Sequence, residues 1–242
     1  MRTAVIYTGN CRTFADLYAN HIFSVLLKLP NPTIFCSMAD DEQAEDMRLL
    51  EKHLPEVPFF FEKVKQPESI EEPPVHGRFH AGHGVSTTKQ AVLKQLWALN
   101  RAWEFVGENG GHEGFDLYVR IRSDSGFFRC EMPEITAKFS TGIRNDACLT
   151  PWWSRWGGIN DRFAIMGRKA AEVYFTTFRD RQKLFDAWCP VHPETMIAFA
   201  LAKAGITPDD TLKVEFGTFR LSGQIIPCAI SPIDIGDYAR SK

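Results

Sequence analysis

The sequence predicts a single α/β domain in which helices flank a mainly parallel sheet. In the first half of the chain, strand-like runs alternate with helical patterns. This order is typical of a parallel sheet, because two parallel neighbouring strands are joined by a crossover connection, usually a helix. The chain has 242 residues, 44% hydrophobic and 24% charged, which is enough to bury the core of one large domain. We therefore expect residues 1–242 to form one domain, with ligands at the carboxyl ends of the strands.

The first half of the chain predicts three strands separated by helices. The expected elements are a strand at 4–7, a helix with Phe14, Leu17, His21 and Val25 on one side, a strand at 33–37, a helix at 46–53 and a strand at 59–61. Residues 66–84 follow; they are rich in Pro, Glu, Gly and His and lack periodicity. We expect them to form a long mobile loop, a candidate substrate lid.

The second half opens with a strong helical pattern. Apolar residues recur at steps of three and four from Val92 to Val106, which predicts a buried helical face beginning at Thr87 or Thr88. The elements expected after it are strands at 116–124, 147–150 and 162–166, helices at 169–188 and 192–205, and strands at 214–221 and 224–230.

Charged residues alternate along the predicted strand at 116–124. One face would carry Leu117, Val119 and Ile121, and the other Tyr118, Arg120, Arg122 and, if the strand continues, Asp124. Buried charges need partners such as phosphates, carboxylates or a metal-bound ligand, because an unpaired buried charge is costly. The alternative is an edge strand with a solvated polar face. The sequence thus predicts an acidic strand end in an active-site cleft.

Four segments together carry a resemblance to a known family. They are Thr8–Phe14 after the first strand, the helix with Gln95, the strand Tyr118–Asp124, and Asn160–Gly167. This combination resembles GT-A-type glycosyltransferases of bacterial surface-polysaccharide loci. The resemblance implies a GT-A-like, Rossmann-type catalytic domain, a nucleotide-sugar donor, and a saccharide or lipid-linked glycan acceptor in surface-polysaccharide synthesis.

The family pattern also bears on metal binding. Members of that fold carry Asp-x-Asp at the end of a central strand, where it binds a divalent metal and the diphosphate. The matching segment here reads Ser123-Asp124-Ser125, with one acid of the pair. Either Asp124 holds Mn²⁺ or Mg²⁺ with waters and diphosphate oxygens, or arginines offset the diphosphate charge directly. Both alternatives stay open.

The expected nucleotide-binding residues follow the first strand and line the charged one. They are Thr8, Gly9, Asn10, Arg12, Arg120, Arg122 and Asp124. Gly9-Asn10 would let the backbone approach a ligand closely, and Arg12 would meet phosphate. An ordinary strand-to-helix turn is the alternative for Gly9-Asn10.

Three residues are candidates for the base that deprotonates an acceptor hydroxyl. They are Asp161, His192 and Glu194. Asp161 follows a glycine-rich turn, although Asn-Asp is also ordinary turn chemistry. Glu194 and His192 lie at a helix start, where Glu194 would also complement the helix dipole.

Two aromatic clusters have competing interpretations. The tryptophans at 152, 153 and 156 would stack on a sugar or nucleobase, or pack beneath their own loop. The histidines at 76, 80 and 83 have metal-like spacing but no acidic or cysteine partner nearby, which favours solvated residues.

Other function classes lose support. A net charge of −2 without a basic patch argues against nucleic acid, and no apolar run reaches the roughly 20 residues of a membrane span. The strand-like start indicates a cytoplasmic protein, with peripheral membrane contact left open. The competing functions are nucleotidyl or phosphoryl transfer at the same acidic strand end, and a non-catalytic glycan-binding module.

Overall fold

A computed structural model describes residues 1–72, 88–131, 144–153, 155, 158–219 and 225–227. The strands in this part of the chain are β1 (Thr3–Gly9), β2 (Pro32–Ala39), β3 (Phe59–Val64), β4 (Leu117–Ile121), β5 (Ser125–Cys130), β6 (Cys148–Pro151), β7 (Phe163–Met166), β8 (Asp209–Leu212), β9 (Val214–Phe219) and β10 (Ile225–Pro227). The α-helices are α1 (Phe14–Ser24), α2 (Arg48–His53), α3 (Lys89–Asn109), α4 (Arg168–Thr176), α5 (Arg181–Asp186) and α6 (Pro193–Lys203).

A seven-stranded sheet has the order β3-β2-β1-β4-β7-β6-β8. The pairs β1–β2, β2–β3, β1–β4 and β6–β8 are parallel, whereas β7 runs antiparallel to both β4 and β6. Strand β1 lies between β2 and β4, so the carboxyl ends of these three strands meet at one edge. The expected fold class, α/β with a mainly parallel sheet flanked by helices, is confirmed.

The two faces of this sheet belong to different layers, because side chains alternate along each strand. In β1, Ala4 and Ile6 join the cluster that contains α3, while Val5 and Tyr7 join the cluster that contains α1. The first layer also contains buried residues of α4, α5 and α6. The second contains α2 and residues of β9. The sheet therefore has a packed core on both faces.

Helix α3 is formed as its sequence pattern predicts. The side chain of Thr88 caps its first turn by accepting a hydrogen bond from the Ala91 N–H at 3.1 Å. Its apolar stripe, which includes Val92, Leu96 and Leu99, is buried against the sheet. The helix ends before Gly110, in the predicted glycine-rich segment.

A second sheet of three strands, with the order β10-β9-β5, lies beside α1.

A buried histidine, His21, connects α1 to both sheets. The Tyr7 hydroxyl lies 3.1 Å from His21 Nδ1, and His21 Nε2 contacts the carbonyl of Ser125. A proton on Nε2 satisfies both contacts. Burial lowers the pKa of His21 to about 4, so the ring is neutral at pH 7.

The structure corrects several boundaries. The predicted strand 116–124 ends at Ile121, and a turn closed by a hydrogen bond from the Ser125 N–H to the Arg122 carbonyl follows it. The predicted helix 169–188 is two helices, α4 and α5, separated by residues 177–180. Strands β5 and β8 were not predicted, because their short mixed sequences lack clear alternation. Residues 73–84 of the predicted lid lie outside the described residues, and the domain extent of 1–242 stays a prediction.

Within the described part of the chain, no helix is both long and apolar enough to cross a membrane.

Candidate active site

The ends of β1 and β4 place two loops side by side. Their parallel pairing runs as far as Tyr7 and Ile121, so the residues that follow each strand emerge at the same edge. The Ser123 hydroxyl donates a hydrogen bond to the Asn10 carbonyl at 2.8 Å and joins the two loops. The residues expected to bind a nucleotide sugar are thus neighbours in space.

The loop after β1 bends through two backbone conformations of positive φ. Gly9 has φ +104°, a conformation that residues with a Cβ rarely adopt. Arg12 has φ +54°, in the left-handed region that is uncommon for residues other than glycine. Such conformations cluster at functional sites, where contacts hold them in place.

Asp124 organises two arginines at this edge. Its side chain is 2% exposed. Arg122 donates two parallel hydrogen bonds, from Nε to Oδ1 at 2.9 Å and from Nη2 to Oδ2 at 2.8 Å. Arg12 Nη1 donates to Oδ2 at 2.9 Å. Burial opposes the charge on Arg122, but the Asp124 carboxylate outweighs it and raises the pKa of that guanidinium. Arg122 is therefore cationic, and the shared carboxylate fixes the direction of both guanidinium groups.

Arg120 lies on the face of the sheet that packs against α3. Its guanidinium donates hydrogen bonds to the backbone carbonyls of Ile121 and Thr8, the latter at 3.3 Å. Burial lowers the pKa of Arg120 to about 10, so it stays protonated at pH 7. The Thr8 hydroxyl donates to the Ala98 carbonyl in α3 at 3.1 Å. Arg120 thus joins the ends of β1 and β4, and Thr8 ties β1 to α3.

Asp161 is held in a turn before β7. Asn160 Oδ1 accepts hydrogen bonds from the backbone N–H groups of residues 162 and 163, at 2.9 and 3.3 Å, and this fixes the turn. Gln95 of α3 donates to Asp161 Oδ2, and the Tyr174 hydroxyl donates to the Asp161 carbonyl at 3.0 Å. The Asp161 side chain is 2% exposed, and its Oδ1 has no hydrogen-bond partner among the described residues.

Glu194 lies in the first turn of α6 and packs against the same loop. Ile159 N–H donates to the Glu194 carbonyl at 3.2 Å. A Cβ on Gly158 would lie only 2.1 Å from that oxygen, so only glycine allows this approach. His192 Nδ1 is 3.3 Å from Glu194 Oε2, but that oxygen has no well-aligned hydrogen bond from the described residues. His192 also contacts the Thr195 hydroxyl at 3.3 Å.

The environment of Glu194 changes its acidity. Burial, and then the charge of Asp161, raise the pKa of Glu194 to about 8, while Arg162 and Arg122 act in the opposite direction. Glu194 is predominantly protonated at pH 7. The site therefore combines fixed cations with a carboxylic acid able to donate a hydrogen bond.

The structure brings the three predicted base candidates together. Asp161, Glu194 and His192 meet where the 158–161 turn contacts α6, and Arg122 lies within electrostatic range of both acids. Arg122 also contacts Asp124, which binds Arg12 of the β1 loop. The catalytic and nucleotide-binding roles of these residues stay predictions; their proximity is a property of the fold.

Sequence reasoning did not assign roles to Gln95, Tyr174 or Gly158. Gln95 carried a usable signal, because it occupies a position three after Val92 and four before Leu99, within the apolar stripe of α3. A polar residue on such a buried face needs a polar partner, and Asp161 is that partner. Tyr174 and Gly158 had no comparable signal.

The tryptophan loop is partly described. Trp153 is 3% exposed; its indole N–H donates to the Val214 carbonyl at 2.9 Å, and its ring packs edge-on against Phe216. Trp152 packs against the same apolar cluster. These two tryptophans therefore pack beneath their own loop, as one of the two interpretations predicted. Trp156 and the histidines at 76, 80 and 83 lie outside the described residues.

The side chains at Asp124 do not fit a divalent cation as they stand. Both carboxylate oxygens already accept hydrogen bonds from guanidinium groups. Within the described ranges, no group of three or more His, Cys, Asp or Glu side chains is arranged to hold a metal ion. A cation at Asp124 would have to displace Arg12 and Arg122. Dependence of any activity on added metal stays a prediction.

Comparisons with known proteins identify remote fold neighbours. No family model matches the chain, and no curated protein matches its sequence. Among solved structures, the chain is similar to A197 from STIV, with 10% identity and a TM-score of 0.37 over 95% of each chain. It is also similar to apo mouse xyloside xylosyltransferase 1, with 11% identity and a TM-score of 0.43 over 84% of this chain and 82% of that one.

A third similar structure is the apo WbbM bifunctional glycosyltransferase. Identity is 13% and the TM-score 0.45, over 85% of this chain and 38% of that one. Two of these three neighbours are thus glycosyltransferases.

Proposed function

We propose that this chain is a glycosyltransferase that moves a sugar from a nucleotide-diphosphate donor to a saccharide or lipid-linked glycan acceptor. The observation that carries the proposal is the Arg12–Asp124–Arg122 arrangement at the carboxyl ends of β1 and β4, beside the buried acids Asp161 and Glu194. Surface-polysaccharide synthesis in the cytoplasm is the setting that the sequence resemblance suggests.

Arginine suits the diphosphate because its planar guanidinium pairs with phosphate oxygens in a bidentate manner and stays charged. Arg12 is 35% exposed at its side chain and Arg122 is 19% exposed, so both have surface left for a ligand while Asp124 holds them. In this proposal the diphosphate charge is balanced by these two arginines, without a metal at Asp124.

The proposed transfer step gives the arginines and Asp161 separate roles. The acceptor hydroxyl oxygen attacks the anomeric carbon, and the bond between that carbon and the diphosphate oxygen breaks. The electron pair leaves with the diphosphate, whose developing charge lies against Arg12 and Arg122. The hydroxyl proton passes to the open oxygen of Asp161, which Gln95 orients through the other oxygen.

Thermal unfolding with a panel of nucleotides tests this proposal. UDP, GDP, ADP, CDP and TDP are added with MnCl₂ or with EDTA; at least one diphosphate should raise the Tm and keep doing so in EDTA. At a ligand concentration 100 times Kd, the stabilisation is about 2.7 kcal/mol. Arg12→Gln should abolish most of the shift. Arg48→Gln, which removes an exposed arginine from α2, should leave it unchanged.

The remaining outcomes separate the alternatives. Preference for a nucleoside triphosphate favours nucleotidyl transfer, and saccharide binding without nucleotide affinity favours a glycan-binding module. A shift seen only with Mn²⁺ contradicts charge balance by arginine. No shift with any diphosphate, in either condition, contradicts the glycosyltransferase proposal. Hydrolysis of the effective nucleotide sugar, lost in Asp124→Ala, would extend the test to catalysis.

A further inference from the structure

Two buried acid side chains in the site have an oxygen without a hydrogen-bond donor. Asp161 is 2% exposed and Glu194 is 5% exposed. Among the described residues, Asp161 Oδ1 has no hydrogen-bond partner, and Glu194 Oε2 has only a poorly aligned contact with His192 Nδ1 at 3.3 Å. A buried oxygen of this kind is costly unless a ligand or water satisfies it. The two oxygens therefore mark a place where polar hydrogens are needed.

The two acids belong to one location. The turn that carries Asp161 contacts the first turn of α6 directly, since Gly158 and Ile159 both meet the backbone carbonyl of Glu194. The charge of Asp161 acts on Glu194, where it adds to burial and raises the pKa of Glu194 to about 8. Two carboxyl groups that share a buried environment do not both ionise at neutral pH.

The surroundings decide which ligand chemistry suits this pair. The titratable groups that face it come from β4 and the turn after it, the turn before β7, α4 and α6. They are Arg120, Arg122, Arg162, Tyr174 and His192. Three of them are arginines that stay cationic, so an ammonium group would meet repulsion. A neutral polar ligand that both donates and accepts hydrogen bonds meets none.

We propose that Asp161 and Glu194 hold a single proton between them and form a subsite for a vicinal diol of a saccharide. One diol hydroxyl donates to Asp161 Oδ1, and the proton on Glu194 is donated to the oxygen of the other. The inference rests on the proposed function for the presence of a sugar in the site, and it adds that the sugar carries an unsubstituted diol rather than an amine at this point. If the diol belongs to the acceptor, the hydroxyl at Asp161 is the one that attacks in the proposed transfer step; if it belongs to the nucleotide sugar, a group other than Asp161 takes the proton in that step.

Carboxyl titration tests the shared proton without any ligand. The full chain is labelled with ¹³C at Glu side-chain carboxyls and titrated from pH 4 to 10 by NMR. One Glu signal should titrate with a midpoint near 8 and be missing in Glu194→Gln. In Asp161→Asn, the midpoint should fall by at least one pH unit because the neighbouring charge is removed. Glu56→Gln, which removes an exposed carboxyl, should keep the signal.

The contradicting results are equally specific. A wild-type spectrum in which every Glu signal titrates below pH 6 overturns the shared proton. So does a midpoint near 8 that persists unchanged in Asp161→Asn. The first of these results, titration of every Glu signal below pH 6, needs only the wild-type protein. The proposal can therefore be contradicted even if a variant does not fold. Circular dichroism of each variant verifies its fold.

Saccharide probes test the subsite and distinguish the two sources of the diol. Methyl glycosides of glucose, galactose and mannose represent an acceptor, and UDP-glucose, UDP-galactose and GDP-mannose represent the nucleotide sugar. At least one probe should shift the Glu194 signal, and its amino-sugar counterpart, with one diol hydroxyl replaced, should shift it at least tenfold less at equal concentration. No response to any probe, or an equal response to the amino sugars, overturns the subsite. If UDP or GDP raises the Tm while the Glu194 signal never responds, the proposed function stands and this inference fails. If the Glu194 titration and the glycoside responses appear without nucleotide binding, this inference stands and the proposed function fails.

Discussion

At the scale of single residues, the site depends on one carboxylate that serves two arginines. Asp124 is buried, and its partners approach from two different loops. Removal of one member of a buried ion pair is costly because the remaining charges stay desolvated. Asp124 therefore holds Arg12 and Arg122 in place at the carboxyl ends of β1 and β4.

Asp124→Asn should destabilise the protein by about 3 kcal/mol, because an amide cannot balance two guanidinium charges. Urea denaturation monitored by circular dichroism measures the change in free energy of unfolding. Glu45→Gln is the control: it removes a carboxylate from the exposed pair with Arg48 and should have little effect. Equal stability of Asp124→Asn and wild type would mean that the buried ion pairs do not form.

The buried ring of His21 predicts a pH effect. Its folded-state pKa is about 4, below the ordinary value of 6.5. Between these values the unfolded chain binds a proton that the folded chain does not, so stability is lost as the pH falls from about 6.5 to 4. At about 1.4 kcal/mol per pKa unit, the loss approaches roughly 3 kcal/mol near pH 4.

The measurement compares the free energy of unfolding of wild type and His21→Gln at pH 7, 6, 5 and 4. The difference between the two proteins should shrink as the pH falls, since the variant has no imidazole to protonate at this position. His53→Gln, at the exposed end of α2, should run parallel to wild type. A constant difference between wild type and His21→Gln would show that the ring is not kept neutral.

At the scale of elements, the site exists because a turn and a helix start touch. The turn before β7 carries Asp161, and α6 begins with Pro193 and Glu194 against it. Proline suits the first turn of a helix because its missing N–H has no partner to lose there. The contact leaves no space for a side chain at Gly158.

Gly158→Ala should therefore move the turn away from α6. Its Cβ would meet the Glu194 carbonyl carbon at 2.2 Å as well as the oxygen, and both are backbone atoms that cannot rotate aside. We expect a loss of about 2 kcal/mol in urea denaturation, typical of overpacking. Gly114→Ala is the matched control, since its nearest neighbour is the flexible end of Arg2 at 3.4 Å. If both variants unfold alike, the turn and the helix are not in direct contact.

At the scale of the whole molecule, stability comes from two packed layers around one sheet. Helix α3 provides the long apolar stripe of one layer, and Leu96 within it is fully buried. Gln95, the neighbour of Leu96, reaches Asp161. The same helix that closes the core thus holds an acid of the site in place.

Leu96→Ala should cost about 3 kcal/mol, since truncation of a buried leucine loses apolar contact and leaves a cavity. For a chain of this size, that corresponds to a fall in Tm of about 6 to 12 °C by calorimetry. Leu27→Ala makes the same chemical change at a side chain that is 59% exposed, and should stay within about 0.5 kcal/mol of wild type. Equal effects of the two substitutions would contradict the assignment of α3 to the core.

The α/β class, the order of most elements and the position of the candidate site at the strand ends were predictable from the sequence. Periodicity sufficed for α1 and α3, because a buried helical face repeats every three to four residues whatever it packs against. Periodicity did not predict that β4 ends at Ile121 or that residues 169–188 form two helices, because turn residues and short breaks leave little periodic signal. The acidic strand end remained recognisable because charged residues in a central strand require partners.

The partners of Asp124 and the surroundings of Asp161 emerge only when the chain is folded. The two arginines that bind Asp124 lie 112 and 2 positions away from it in sequence, and Gln95 is 66 positions from Asp161. Burial, which protonates Glu194 and keeps His21 neutral, depends on every layer packed around those groups. Charge balance and acidity are properties of an assembled environment, and a linear pattern records the residues without their distances.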